Sequence, residues 1–339
     1  MAKQNSWLSE DFLWPIKGSC LLTKFIVTGG AGFIGSHMAY RLLSDGNEVR
    51  VIDKIPFDQA IRLQSLSNDK KFSYYQRDLS QVETLESDFR GFDAVVHFAA
   101  SADISLGQKN TDLDLKQGTI VTWKVLEAIR LCNIKRIIFS SSSTVYGFPI
   151  KVPTTEDTGM MFPASLYGAS KLASEALISA FCYLYDIKGW IFRFGNVIGN
   201  DTARGVIFDL IYKLKKNQDE LEVLGNGEQV KDYVNIDDCI DAILHAFSKT
   251  DEKVNVFNLS SGSILSVKDV VKIILEEMKL ENTTIRYTGG PQGWGGGGWA
   301  GDVKIVHYDI SKLKKIGWSP KLSSADAVRL AVKGTIENS

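Results

Sequence analysis

Short runs of consecutive apolar residues alternate with stretches of helical spacing through the first two thirds of the chain. Lys24-Phe25-Ile26-Val27-Thr28 reads as a strand buried on both faces, a glycine-rich turn follows, and Ile34 to Leu43 continue with three-and-four helical spacing. Glu48–Asp53, Phe72–Gln76, Ala94–Phe98 and Arg136–Ser140 predict four more strands, and Gly189–Phe194 a sixth. One long helix is expected from about Leu113 to Leu131, with Ile120, Trp123, Val125, Leu126 and Ile129 available to pack, and another from about Ser165 to Tyr185. Such alternation predicts an α/β fold of Rossmann type, a doubly wound parallel sheet with right-handed crossovers. Past Asn196 the elements shorten, with a helix near Val206–Lys216 and a strand near Glu222–Leu224, so a smaller mixed α/β lobe is expected.

Composition narrows the partners. Hydrophobic residues make up 44% and charged residues 23% of the 339, which is ordinary globular usage and argues against disorder. Lys plus Arg number 39 against 40 Asp plus Glu, with no long block of one sign, so no nucleic-acid or membrane footprint is predicted and a small, discrete ligand is. Cys20, Cys132, Cys182 and Cys239 are scattered without a CxxC pair, and the four His show no ligand spacing; reduced thiols and no metal are expected. Residues 1–23 carry Trp7, Phe12, Leu13, Trp14 and Pro15 but no basic start or continuous apolar stretch, and no run approaches the ~18 residues of a spanning helix. A cytoplasmic protein is expected, its early aromatics packing on the body or on a partner subunit. The glycine-dense segment Gly289 to Asp302 reads as a flexible, aromatic-bearing loop.

Candidate chemistry gathers at the predicted strand ends. Gly29, Gly32 and Gly35 follow the first strand with GxxGxxG spacing, which lets backbone turn tightly, approach a pyrophosphate and start a helix whose N–H groups face the anion. Asp53 ends the second strand, where a carboxylate would bind ribose hydroxyls and repel a 2′-phosphate, favouring NAD over NADP. Asp78 and Leu79 follow the third strand, within reach of an adenine amine; Phe98, Ala99 and Ala100 end the fourth, where small residues let backbone near the cofactor. His97, on a buried strand, reads as a satisfied core histidine. Ser140 to Ser143 end the fifth strand at the carboxyl edge where ligands bind in open α/β sheets, and Ser142 is the hydroxyl expected to orient a substrate oxygen. Tyr167 is the candidate acid/base, with Lys171 one helical turn on lowering its pKa and bonding the nicotinamide ribose.

These residues together resemble the extended short-chain dehydrogenase/reductase family, and within it the sugar-nucleotide epimerases of the UDP-glucose 4-epimerase group, archaeal-type members above all. The likeness spans roughly Lys24 to Lys333 and includes TGGAGFIGSH at Thr28 to His37, HFAA at His97 to Ala100, SSSSTVYG at Ser140 to Gly147, YGASK at Tyr167 to Lys171, RFGN at Arg193 to Asn196, LGNGEQVKDYVNIDD at Leu224 to Asp238 and GDV at Gly301 to Val303. The resemblance implies tightly bound NAD over residues 24–195, with parts of 232–260 returning to that domain, and a nucleotide-sugar lobe formed mainly by 196–339. It implies backbone from Phe33 and Ile34 over the pyrophosphate, Ser142 and Ser143 at the sugar, Asn196 on the diphosphate of a nucleotide-diphosphate sugar, and a homodimer through the two long helices.

Three departures stand out: Lys231 where the family has a phosphate-binding arginine, the loss of another arginine near Gly301–Val303, and Gly118 where many members have asparagine. The reaction implied is 4-epimerisation through a 4-keto sugar. A 4,6-dehydratase would need an Asp-Glu pair after the active-site hydroxyl, and Ser143-Thr144-Val145 stands there instead. A uronate decarboxylase or epimerase, and a non-catalytic NAD-binding regulator, are the alternatives.

Overall fold

The structure, a computed structural model, describes residues 22–101, 104–202, 204–290, 298 and 303–338. The N-terminal aromatics, Cys20 and most of the glycine-dense loop, with Gln292, Trp299 and Gly301, lie outside the described residues.

Among the described residues twelve strands run in chain order: β1 Lys24–Thr28, β2 Glu48–Asp53, β3 Phe72–Gln76, β4 Ala94–His97, β5 Arg136–Ser142, β6 Lys188–Phe194, β7 Asn196–Ile198, β8 Glu220–Val223, β9 Val230–Asn235, β10 Val254–Leu259, β11 Ile264–Ser266 and β12 Thr284–Tyr287. The α-helices are α1 Phe33–Ser44, α2 Glu86–Phe89, α3 Ile104–Lys109, α4 Val121–Leu131, α5 Leu166–Tyr185, α6 Val206–Lys216, α7 Ile236–Lys249, α8 Val267–Met278, α9 Ser311–Lys315 and α10 Ser324–Glu337. Seven strands form one sheet in the order β10-β6-β5-β4-β1-β2-β3, every pair parallel.

The apolar runs of β1 and β4 follow from burial on both faces. Successive side chains of a strand point to opposite sides. Phe25 and Val27 of β1 join Met38, Leu42, Ile240 and Ile243 in the core beneath α1 and α7, while Ile26 joins Val95, Leu126, Ile129 and Ile178 beneath α4 and α5. The chain therefore comes back to the large sheet after Asn196: α7 lies against α1, and β10 pairs with β6. The second lobe has its own core, in which Leu210, Leu214, Tyr233, Val271, Ile274 and Val328 meet.

Three local differences from the sequence reading have physical causes. β5 continues two residues further, to Ser142, because β6 stays long enough to pair Phe194 with Ser142. The helix expected from about Leu113 begins as a wide turn over Leu115–Ile120 and becomes α-helical at Val121, since Gly118 leaves a hollow that Ser170 fills. β8 starts at Glu220 rather than Glu222, drawn back by parallel pairing with Thr284–Tyr287.

Candidate active site

Every strand of the large sheet is parallel, so the carboxyl ends of β1, β4 and β5, which are neighbours, open on one edge. At β1 the chain turns through Gly29, whose φ of +70° is cheap only for glycine. A side chain there would also strike the backbone of Ala99, whose nitrogen lies 2.7 Å from the Cβ position. The turn and the end of β4 thus touch, backbone to backbone. Gly35 is required for a second reason, because a Cβ would collide with the Gly29 carbonyl as α1 closes on the turn. Gly32 caps α1 with no side-chain hydrogen bond. The N–H groups of the first helical turn are left for an anion, as a dinucleotide pyrophosphate requires.

Asp53 braces that turn at the end of β2. One carboxylate oxygen accepts from the Ala31 N–H at 3.0 Å, the other from the Ile55 N–H at 3.1 Å. An ionised carboxyl has about four acceptor sites, so two remain for ribose hydroxyls. Asp78 accepts from the Ser80 N–H at 2.9 Å and the Ser80 hydroxyl at 2.6 Å, and the hydroxyl bond leads the interactions that hold it below the usual carboxylate range. Leu79 is buried in the sheet core, which leaves its backbone as the part able to meet a cofactor.

His97 sits between two threonines. Nδ1 is 2.7 Å from the Thr28 hydroxyl and Nε2 3.1 Å from the Thr122 hydroxyl. Burial, with Lys171 adding to it, pushes the imidazole down to about 3, so it is neutral and both nitrogens are occupied.

Helix α5 delivers the central pair. Ser165 caps it, its hydroxyl accepting from the Gly168 N–H at 3.0 Å, so Tyr167 lies in the first turn and Lys171 one turn below. The Lys171 ammonium donates to the Ser140 carbonyl at 2.6 Å and lies 5.8 Å from the centre of the Tyr167 ring. Burial pulls it down to about 8, against the raising influence of Glu175 and Asp114. The Ser142 hydroxyl accepts from Thr144, N–H at 3.2 Å and hydroxyl at 2.9 Å, and is hydrogen-bonded to Tyr167. Burial nonetheless pushes the phenol up to about 12, with Ser142 pulling down and Asp114 pushing up. The net direction is therefore upward in spite of the nearby Lys171 ammonium, because desolvation of the phenolate dominates.

A brace that the sequence reading did not single out supports this pair. Glu175, one turn beyond Lys171, takes a two-point ion pair from Arg193 of β6 at 3.0 and 2.8 Å and a bond from the Ser141 hydroxyl. Arg193 also donates to the Tyr146 hydroxyl at 3.0 Å. The i,i+4 spacing of Lys171 and Glu175 was the available signal.

The candidate substrate contacts are more dispersed. Ser143 is hydrogen-bonded to the buried Tyr308, and Asn196 donates to the Asp232 carbonyl at 3.0 Å. The Lys231 amine donates to the Val303 carbonyl, next to the glycine-dense loop. Among the described residues no cluster of His, Cys, Asp or Glu is placed to hold a metal, and no helix is long and apolar enough to cross a membrane.

The family described as NAD dependent epimerase/dehydratase matches residues 25–260. A UDP-glucose 4-epimerase of Lactobacillus helveticus is 30% identical over 327 residues, covering 90% of this chain and 94% of its own. A proposed UDP-glucose 4-epimerase of Methanocaldococcus jannaschii is 29% identical over 312 residues, covering 91% of this chain and 96% of its own. A UDP-glucuronic acid 4-epimerase from Bacillus cereus, solved with UDP-glucuronic acid and NAD, superposes with a TM-score of 0.82 at 26% identity, covering 94% of this chain and all of that one.

Proposed function

We propose, from the premise that this chain belongs to the NAD dependent epimerase/dehydratase family, that it inverts C4 of a UDP-hexose of the glucose/galactose type through a transient 4-keto sugar. The observation that carries this reading is the meeting of Tyr167, Ser142 and Lys171 at the sheet edge that also holds the uncapped start of α1. When bound, NAD supplies the acceptor and donor for the hydrogen that leaves and returns at the sugar carbon. Gly29, Gly32, Phe33, Ile34 and Gly35 hold its pyrophosphate, Asp53 its ribose hydroxyls, and Asp78, Leu79, Phe98, Ala99 and Ala100 line its path.

Ser142 holds the C4 oxygen, and Tyr167 removes that oxygen's proton and returns it after the sugar has presented its other face. A phenol pushed up to about 12 is a poor base at neutral pH. Its ionisation would be favoured by the Lys171 ammonium beside it, and oxidised NAD, when bound, would add further positive charge. Ser143, Asn196 and Lys231 belong to the nucleotide-sugar side. The dehydratase reading is disfavoured because the turn after Ser142 offers Ser143 and Thr144, neither of which can work as an acid or base at the neighbouring carbons.

A homodimer fits the outward faces of α4 and α5. Trp123 is 47% exposed, Tyr183 and Leu184 each 71%, while the opposite faces of both helices are buried. Light scattering of the purified protein should give twice the chain mass.

The function is tested by incubating the NAD-loaded protein with UDP-glucose, UDP-galactose, UDP-glucuronate and UDP-arabinose and following C4 by NMR. Interconversion of the first two is expected. No product from any of the four, with NAD retained, would overturn the reading. Tyr167→Phe should lower kcat by roughly a hundredfold to ten-thousandfold while leaving retained NAD unchanged.

A further inference from the structure

The turn after β7 bridges the two lobes. Gly199 and Thr202 close it, the Gly199 N–H donating to the Thr202 hydroxyl at 2.8 Å and the Thr202 N–H to the Gly199 carbonyl at 3.2 Å. Asn200 rests against the end of α10, its carbonyl accepting from the Asn338 side-chain amide at 3.2 Å. The approach is close, since a Cβ on Gly334 would lie 2.5 Å from the Asn200 Cα.

The next residue, Asp201, engages the dinucleotide domain instead. Its Oδ1 lies 3.1 Å from Nε2 of His37 on α1, its Oδ2 accepts from the Arg62 Nε, and its carbonyl accepts from the Arg62 Nη2 at 2.7 Å. Against the cost of burial, the hydrogen bonds from His37 and Arg62 hold the carboxyl down to about 2, so it is ionised at neutral pH.

Both partners flank Phe33, the first residue of α1. The His37 ring meets the Phe33 ring edge-on, 5.3 Å between centroids, and the Arg62 guanidinium carbon lies 5.9 Å from that ring's centre. A Cβ on Gly199 would lie 3.1 Å from the tip of the same ring. Phe33 opens the helix whose N–H groups are left for the pyrophosphate. Arg62 belongs to the short helical turn Ile61–Leu66 that follows the Asp53 segment, and Leu63 and Leu66 pin that turn to the core. One aspartate from the turn after β7 thus joins the segments assigned to the pyrophosphate and to the ribose. Arg41, one turn beyond His37, has a different reach: it pairs with Asp45 just past α1 and with Asp241 of α7.

We propose that Asp201 is a positioning residue for the cofactor: by holding Arg62 and His37 about Phe33 it clasps the second lobe to the pyrophosphate turn and slows the release of NAD. A dinucleotide gripped by the start of α1 and by the segment after β2 leaves only when those two part, and the contacts that tie them to the turn after β7 resist that parting. Asp201 acts through Arg62 and His37. The inference rests on the placing of NAD along Gly29 to Gly35 and Asp53, and its test reads retention of NAD rather than turnover.

The NAD-loaded protein is diluted into an excess of isotope-labelled NAD, and exchange of the bound cofactor is followed by gel filtration and mass spectrometry. Asp201→Asn and Arg62→Gln should each speed exchange roughly tenfold, because lost contacts show mainly in the dissociation rate. The double variant should exchange about as fast as either single one, since both open the same clasp. Arg62→Lys keeps the charge but not the two-bond geometry, and should fall between the parent and Arg62→Gln. Arg41→Gln cuts the tie of α1 to α7 and should exchange at about the parent rate. Parental exchange in both Asp201→Asn and Arg62→Gln would overturn the proposal. So would independent effects in the double variant, or an equal acceleration by Arg41→Gln, the mark of a helix loosened as a whole. Failure of the cofactor placement is read separately: Asp53→Asn should also speed exchange, and if it does not, NAD does not meet Asp53, whatever Asp201 does.

Discussion

The Lys171 ammonium bonds the Ser140 carbonyl at 2.6 Å, and together with the bond from the Ser141 hydroxyl to Glu175 this contact ties helix α5 to the carboxyl end of β5. It holds Tyr167, one turn above the lysine, against Ser142, two residues beyond the carbonyl. Lys171→Met should lower kcat by roughly a hundredfold or more, because the charge and this contact are lost together. Lys171→Arg should not rescue it, since a planar fork does not fit a slot shaped for one ammonium and one carbonyl. Initial-rate measurements on both variants decide the matter, and a parental rate in the arginine variant would refute this reading of the slot.

Glu175 and Arg193 form a buried two-point ion pair that joins α5 to β6. Removing one partner leaves the other charged and desolvated. Glu175→Ala should therefore cost about 3–5 kcal/mol in urea unfolding. Replacing both with Leu and Met should recover much of that loss, since the desolvation penalty disappears with the charges. A double variant less stable than Glu175→Ala would contradict this.

The catalytic strand–turn–helix elements could be read from the chain because each is local. The run from Lys24 to Gly35 encodes a strand buried on both faces, a positive-φ glycine and a helix start within twelve residues, and the fold reproduces that order. β10 was less legible. Val254–Leu259 is placed in the large sheet by pairing with β6, a contact between segments some sixty residues apart that no local pattern announces. The wide turn before α4 was hidden for a similar reason: its cause is Ser170, on a different helix. Tyr167 and Lys171 were visible as an i,i+4 pair, yet the direction of the tyrosine's shift was not, because burial is a property of the whole fold.

The hollow that Gly118 leaves for the Ser170 hydroxyl can be tested directly. Gly118→Ala would drive a methyl group into the Ser170 hydroxyl, displacing it from the Asp114 carbonyl. A loss of about 1–3 kcal/mol is expected from overpacking. Pairing it with Ser170→Ala should relieve the clash, so the double variant should be more stable than the sum of the two single effects predicts. Strict additivity in urea unfolding would mean that the two positions are not coupled.

His97 predicts a pH dependence of stability with a definite sign. Its folded pKa is depressed to about 3, whereas the unfolded imidazole titrates near its ordinary value of 6.5. Below the unfolded value the unfolded chain binds a proton that the folded chain does not, so falling pH favours unfolding. The stabilisation is fully present above about 6.5 and is lost as pH falls toward 3, at about 1.4 kcal/mol per pH unit. Other groups titrate over the same range, so the contribution of His97 is isolated by difference. His97→Gln keeps polar atoms for the Thr28 and Thr122 hydroxyls but cannot take up the proton. Its unfolding free energy, measured in urea from about pH 6 to 4, should therefore fall less steeply than the parent's by about 1.4 kcal/mol per unit. Equal slopes would mean that the folded chain protonates His97 in place, which the two threonine contacts and the neighbouring Lys171 charge oppose.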